Sequence, residues 1–203
     1  MDRVILIGYF KETAELCEKC GCMIAGYVDN EDRGFYTYLG NDEEFINEYN
    51  SFLDIPLVIT PDNPSIREKL YNRYHELGFK FKTLIAPDAI VSKTATISEG
   101  CMIQSLCNVS SDSYLGKCVR VNTGANLMHD VQVEDFSIIA PNAVVLGYVS
   151  IESKAYVGAH STILPHIKIG TDSMVGAGAV VTKEVPSNMV VVGVPARILQ
   201  KKE

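Results

Sequence analysis

From Thr83 to Glu184 an aliphatic residue returns at every sixth position: Ile85, Val91, Ile97, Ile103, Val109, Leu115, Val121, Leu127, Val133, Ile139, Val145, Ile151, Val157, Ile163, Ile169, Val175 and Val181. Two positions earlier in each hexad the residue is small or β-branched, as at Ala89, Cys101, Ser113, Val119, Ala125 and Ser137, with Ile167 the one larger exception. A period of six fits neither the 3.6 of a helix nor the 2 of a lone strand. It fits a triangular solenoid in which three short strands, joined by turns, make each coil. Each residue then lies above the one eighteen earlier, and with strands about 4.8 Å apart the run builds a prism of five to six coils, roughly 27 Å long. The aliphatic column fills its axis. That burial alone does not offset the entropy of ordering so long a segment, so coil-to-coil backbone bonding and self-association are expected to contribute.

The chain before the repeat has a different rhythm. Apolar runs at Arg3–Gly8, Met23–Val28 and Pro56–Ile59 alternate with helical stretches from about Glu12 to Cys20, near Asp42–Tyr49, and from Ser65 to Leu77, stopped by Gly78. Strands alternating with helices predict a small parallel sheet of the Rossmann-like class over residues 1–82, with the repeat and a closing segment over 83–203. Ligands of such sheets sit beyond the C-terminal strand ends, here Gly8 to Lys11, Asp29 with Asn30, and Thr60 to Asn63.

Composition narrows the function. A net charge of −7 over 203 residues leaves no basic face for nucleic acid. No apolar run is long enough to span a membrane, and Val4–Ile7 is too short for a signal-peptide core, so a cytoplasmic protein is expected. The six cysteines fit that compartment as reduced thiols. Cys17, Cys20 and Cys22 have only His75 as a nearby fourth ligand, and His75 reads better as a solvated residue near a helix end, so no metal is expected.

Of the four histidines, His129 stands out. It falls two residues after column position Leu127, where a side chain projects from a corner of the prism, and Asp130 follows it. A carboxylate on Nδ1 orients an imidazole and stabilises its protonated form, which suits a general base. Gly147 lies one coil above His129, and Ala159 and Ala177 lie one coil apart along an edge. Lys183, His160, His166 and Arg197 could reach the phosphates of a ligand, but an exposed charge at a coil corner is more often only solvated.

The hexads, Asn122-Thr123-Gly124-Ala125-Asn126-Leu127-Met128-His129-Asp130, Val181 to Pro186 and Gly193-Val194-Pro195-Ala196-Arg197 together resemble the hexapeptide-repeat acyltransferases. The two-part plan and Tyr27-Val28-Asp29-Asn30 are similar to the bacterial nucleotide-sugar N-acetyltransferases of surface-glycan synthesis, a family that includes sialic acid O-acetyltransferase-like proteins. The resemblance implies a small Rossmann-like α/β N-terminal domain followed by a left-handed parallel β-helix, although the general crossover rule would favour right-handed winding. It implies acetyl-CoA as co-substrate, no metal, an amino sugar or nucleotide sugar as acceptor, and a homotrimer with its sites between neighbouring prisms. His129 would be the base, with Asp130 raising its basicity. Ile138, Gly147, Ala159 and Ala177 would contact acetyl-CoA, the Gly147 N–H serving the thioester carbonyl. Gly8, Lys11, Asp29 and Asn30 would bind the acceptor.

The chain also departs from the family. Ile138 stands where a second histidine is usual, and Ala86 stands where a histidine precedes the proline entering the repeat. Of the glycine-rich loop after the first strand, only Gly8 remains in Gly8-Tyr9-Phe10-Lys11-Glu12-Thr13. The expectation is that any diphosphate is displaced and held with help from Lys11, Asp29 and Asn30, or that the acceptor is not a UDP-sugar. Sugar O-acetylation and a non-catalytic sugar-nucleotide scaffold are the alternatives. The γ-type carbonic anhydrases share the β-helix but need zinc-binding histidines in a register that His129, His160 and His166 do not keep.

Overall fold

The computed structural model describes residues 2–199. The chain divides into two compact units, one ending at Pro87 and the other beginning at Asp88.

In the first unit β1 (Arg3–Ile7), β2 (Met23–Val28) and β3 (Leu57–Ile59) form a parallel sheet in the order β2-β1-β3. Val4 to Ile7 and Leu57 to Ile59 are almost fully buried, as a parallel strand covered on both faces requires. A bridge from Leu57 to Phe81 extends the sheet beyond β3, so the segment around Lys82 belongs to this unit. The helices are α1 (Lys11–Lys19), α2 (Asp42–Asn47) and α3 (Pro64–Glu76). Asn41 caps α2 in a reciprocal capping box with Glu44, and Asn63 caps α3 ahead of a proline that needs no hydrogen-bond acceptor. Gly78 stops the chain past α3 with φ +91°. Phe45, Tyr74 and Phe79 pack ring against ring beneath α3.

The second unit is a stack of two-residue strands in three parallel sheets. Met102–Ile103, Arg120–Val121, Ile138–Ile139, Tyr156–Val157 and Met174–Val175 follow one another on one face. Asn108–Val109, Asn126–Leu127, Val144–Val145, Thr162–Ile163 and Val180–Val181 make the second, and Tyr114–Leu115 through Lys168–Ile169 the third. Every pairing joins residues eighteen apart, for example Arg120 with Ile138 and Asn126 with Val144. Column residues from Ile103 to Val181 are at most 1% exposed. The first turn of the column differs: Ile85 is 38% exposed, and Val91 and Ile97 are only partly buried. Cys101, Cys107, Ser113 and Ser137 occupy the small position, and each sends its side-chain hydrogen to a main-chain carbonyl of the next coil, as Cys101 does to Gly116 at 3.0 Å and Ser137 to Glu152 at 2.9 Å. Val190–Val192 and Arg197–Ile198 close the stack as an antiparallel pair.

Candidate active site

From Gly100 to Gly178 the coils turn their corners at the residue three after the column position, which takes the left-handed conformation. Asp112, Asp130, Tyr148 and His166 do so on the corner after the second face, with φ of 57°, 59°, 60° and 62°. Coil-to-coil bonds from Asp130 N–H to Ser111 O, Tyr148 N–H to His129 O and His166 N–H to Gly147 O hold that corner in register. The residue just before each of these projects outward, and His129 is one of them.

The His129 side chain is about half exposed, and its Nδ1 lies 2.9 Å from Asp130 Oδ2. A carboxylate can only accept, so Nδ1 carries the proton of this bond, and in the neutral ring Nε2 is the nitrogen with the lone pair. The ring leans over Gly147, where an added Cβ would lie 2.7 Å from Cε1 and 2.9 Å from Nε2. Only glycine lets the imidazole approach that backbone. Tyr148 stands perpendicular to the ring at 5.2 Å, and His166 stacks on Tyr148 at 4.8 Å with 3° between the planes.

Outward-projecting positions also aim their backbone N–H away from the coil ladder. Some are met by side chains: Lys117 N–H bonds Asp135, Thr123 N–H bonds Gln104, and Thr171 N–H bonds Glu152. Those of Gly147, Ala159 and Ala177 have no acceptor among the described residues. His129 and Gly147 stand on one corner of the second face, whereas Ala159 and Ala177, with Asn142 and His160, stand on the other.

At the closing end, a cleft of about 460 Å³ is lined by Lys183, Glu184, Arg197 and the apolar Val181, Val185, Val191, Ala196 and Ile198. In the first unit a cleft of about 200 Å³ opens at the C-terminal strand ends among Gly8, Asp29, Asn30, Asp42, Pro61 and Leu70. Gly8, at φ +83°, has Thr60 Oγ1 at 2.6 Å from where a Cβ would stand. Asp29 accepts from the N–H groups of Tyr9 and Asn30 at 2.9 and 2.7 Å and from Arg33 Nε at 3.2 Å. Asp42 accepts from the Tyr74 hydroxyl, and that bond with burial raises the Tyr74 phenol.

The structure thus brings His129, Asp130 and Gly147 together, aligns Ala159 with Ala177, and gathers Gly8, Asp29 and Asn30. Two expected residues lie elsewhere. Lys11 opens α1, exposed and 3.9 Å from Glu15, and does not line the cleft. Ile138 is 2% exposed on the face of Arg120 and Tyr156, its side chain already covered. Tyr148, Arg33 and Asp42 were not singled out from the sequence; for Tyr148 the available signal was its place one coil after Asp130.

Comparison with known proteins agrees with this geometry. Residues 148–183 match the family described as bacterial transferase hexapeptide (six repeats). GDP-perosamine N-acetyltransferase of Escherichia coli O157:H7 is 30% identical over 107 residues, 50% of this chain; the chain spans about half, 48%, of that relative's length. Among solved structures, a histidine-to-alanine mutant of GDP-perosamine N-acetyl transferase from Caulobacter crescentus, in complex with CoA and GDP-perosamine, superposes with TM-score 0.93 at 26% identity, covering 99% of this chain and 98% of that one. The acetyltransferase domain of PglB from Neisseria gonorrhoeae, in complex with acetyl coenzyme A, gives TM-score 0.89 at 28% identity over 97% and 98%. The hexads, their parallel sheets and these likenesses agree: residues 148–183 carry the hexapeptide repeat of bacterial transferases, and along nearly its whole length the chain is similar to the GDP-perosamine N-acetyltransferase and PglB acetyltransferase structures.

Proposed function

We propose that the protein transfers an acetyl group from acetyl-CoA to the amine of a nucleotide-linked sugar, GDP-linked in the first instance, with His129 as general base. The observation that carries it is the His129 imidazole held by Asp130 over the bare backbone of Gly147, with Nε2 free. The amine nitrogen attacks the thioester carbonyl and its proton passes to Nε2. The tetrahedral oxyanion takes the Gly147 N–H, the C–S bond breaks, and the departing thiolate receives the proton, leaving an amide and free CoA. Asp130 fixes the tautomer throughout.

The acceptor reading rests on the relatives bound to CoA and GDP-perosamine, which match nearly the whole chain, and on the cleft formed by Gly8, Asp29 and Asn30 in what we take as a Rossmann-like unit, residues 1–82. Lys183 and Arg197 suit the phosphates of CoA. The placing of the corners supports a homotrimer. Gly147 and Ala159 flank opposite sides of one face, so a single CoA running along a corner meets both only if two chains supply them. We place the enzyme in the cytoplasm, where acetyl-CoA is available; among the described residues no helix is long and apolar enough to cross a membrane.

His129→Ala is expected to lower turnover about 10²–10⁴-fold with CoA affinity nearly unchanged, because it removes a base and not a binding group. Turnover close to wild type in that variant would reject the assignment.

A further inference from the structure

Among the described residues the His129 side chain has one hydrogen bond, to a neighbour in the same exposed turn, and it is 49% exposed. A single bond at Nδ1 leaves the ring free to pivot about the Nδ1···Oδ2 line, which sweeps Nε2 away from any fixed substrate. Two further contacts limit that sweep. Gly147 lets the ring settle close against the backbone. Tyr148 then presents a ring at 83° to the imidazole, with centroids 5.2 Å apart, a favoured perpendicular arrangement.

Tyr148 is itself 52% exposed and would be mobile alone. One coil further on, His166 lies parallel to it at 3° and 4.8 Å. The left-handed backbone of Tyr148 is not informative, since Phe136 and Lys154 share it at another corner. The ring contacts are: a tyrosine and a histidine at successive turns make a two-layer wall that ends on the imidazole.

We propose that Tyr148, backed by His166, is a positioning residue that holds the His129 imidazole with Nε2 toward the acceptor. This rests on His129 being the base. The tyrosine acts through its ring face and not its hydroxyl, so phenylalanine can replace it. Fixing reacting atoms within ångströms is worth large factors in rate, and one aromatic pair supplies about a tenfold share.

The test uses the full chain and four variants: Tyr148→Ala, Tyr148→Phe, His166→Ala and His129→Ala. Tyr148→Ala is expected to lower kcat about tenfold with KM for acetyl-CoA unchanged, and His166→Ala to lower it less. Tyr148→Phe should retain most of the turnover. Histidine-selective NMR gives a readout independent of activity, because the His129 Cε1–H resonance, assigned from its loss in His129→Ala, should shift in Tyr148→Ala through loss of the ring current and stay near its place in Tyr148→Phe. If Tyr148→Ala leaves both kcat and that resonance unchanged while His129→Ala is inactive, the positioning role is refuted and the base survives. If Tyr148→Phe falls as far as Tyr148→Ala, the hydroxyl is what matters and the proposal is overturned. If His129→Ala keeps its turnover, the base assignment itself is wrong.

Discussion

A methyl group at position 147 would meet the His129 imidazole at 2.7 Å from Cε1, closer than carbon atoms approach without displacement. Gly147→Ala is therefore expected to push the ring off its site and lower kcat about 10- to 100-fold while the melting temperature stays near wild type, since the ring is exposed and can move. Steady-state kinetics beside thermal denaturation would check it, and unchanged kcat would show that the glycine is not needed there. Asp130→Asn should cost less than His129→Ala, because a neutral acceptor can still orient Nδ1. A second outcome concerns Cys17, whose thiol is pushed up to about 12, first by burial and then by the neighbouring Cys22 and Cys20. A raised pKa means almost no thiolate near pH 8, so iodoacetamide on the native protein should leave Cys17 unmodified, as mass mapping would show. The approach of His129 to Gly147 was legible because counting by eighteen places one above the other without coordinates. Tyr148 was not, since an aromatic residue at a turn belongs to no motif, and its significance lies in ring geometry. That Lys11 faces Glu15 along α1 and is not among the cleft-lining residues was not legible, because proximity in sequence to Gly8 says nothing of side-chain direction.

The same aliphatic column gives opposite expectations in its interior and at its first position. Val121 is wholly buried among the column residues of its own unit, and Val121→Asp would strand a charge where no partner or water can reach it. Ile85 is 38% exposed, so Ile85→Asp leaves the carboxylate solvated. Denaturant titration should find the first variant unfolded or severely weakened and the second within about 1 kcal/mol of wild type; equal losses would contradict the burial gradient. The period of six revealed the strands and their stacking almost completely, because each hexad repeats one physical demand. It did not reveal where full burial begins, since a periodic pattern carries no information about how its first turn is covered. In the α/β unit the strands were legible from their apolar runs. The extra pairing of Phe81 beside Leu57 was hidden, because a one-residue bridge leaves no periodic trace.

For the molecule as a whole, the N–H groups of Gly147 and of Ala159 and Ala177 lie on different corners, which supports the proposal that neighbouring chains share each site. Light scattering is expected to give the mass of three chains at micromolar concentration, and a folded monomer would count against the shared site. Nucleotide preference also belongs to this scale. With one glycine left of the phosphate-binding loop and Tyr9 and Phe10 beside it, calorimetry should show weak or no UDP binding while acetyl-CoA binds normally. The proposed chemistry starts from His129 and the hexads, whereas the acceptor was not legible, because the cleft of Gly8, Asp29, Asn30 and Asp42 is assembled from three separate segments of the chain. The most direct measurement of the central claim is mass spectrometry of GDP-, UDP- and dTDP-linked amino sugars incubated with acetyl-CoA and either the wild-type protein or His129→Ala. An acetylated GDP-linked product formed with equimolar free CoA by the wild type, and reduced at least a hundredfold in the variant, is the predicted result. No acetylated product from any of these sugars, or equal product from both proteins, would contradict it.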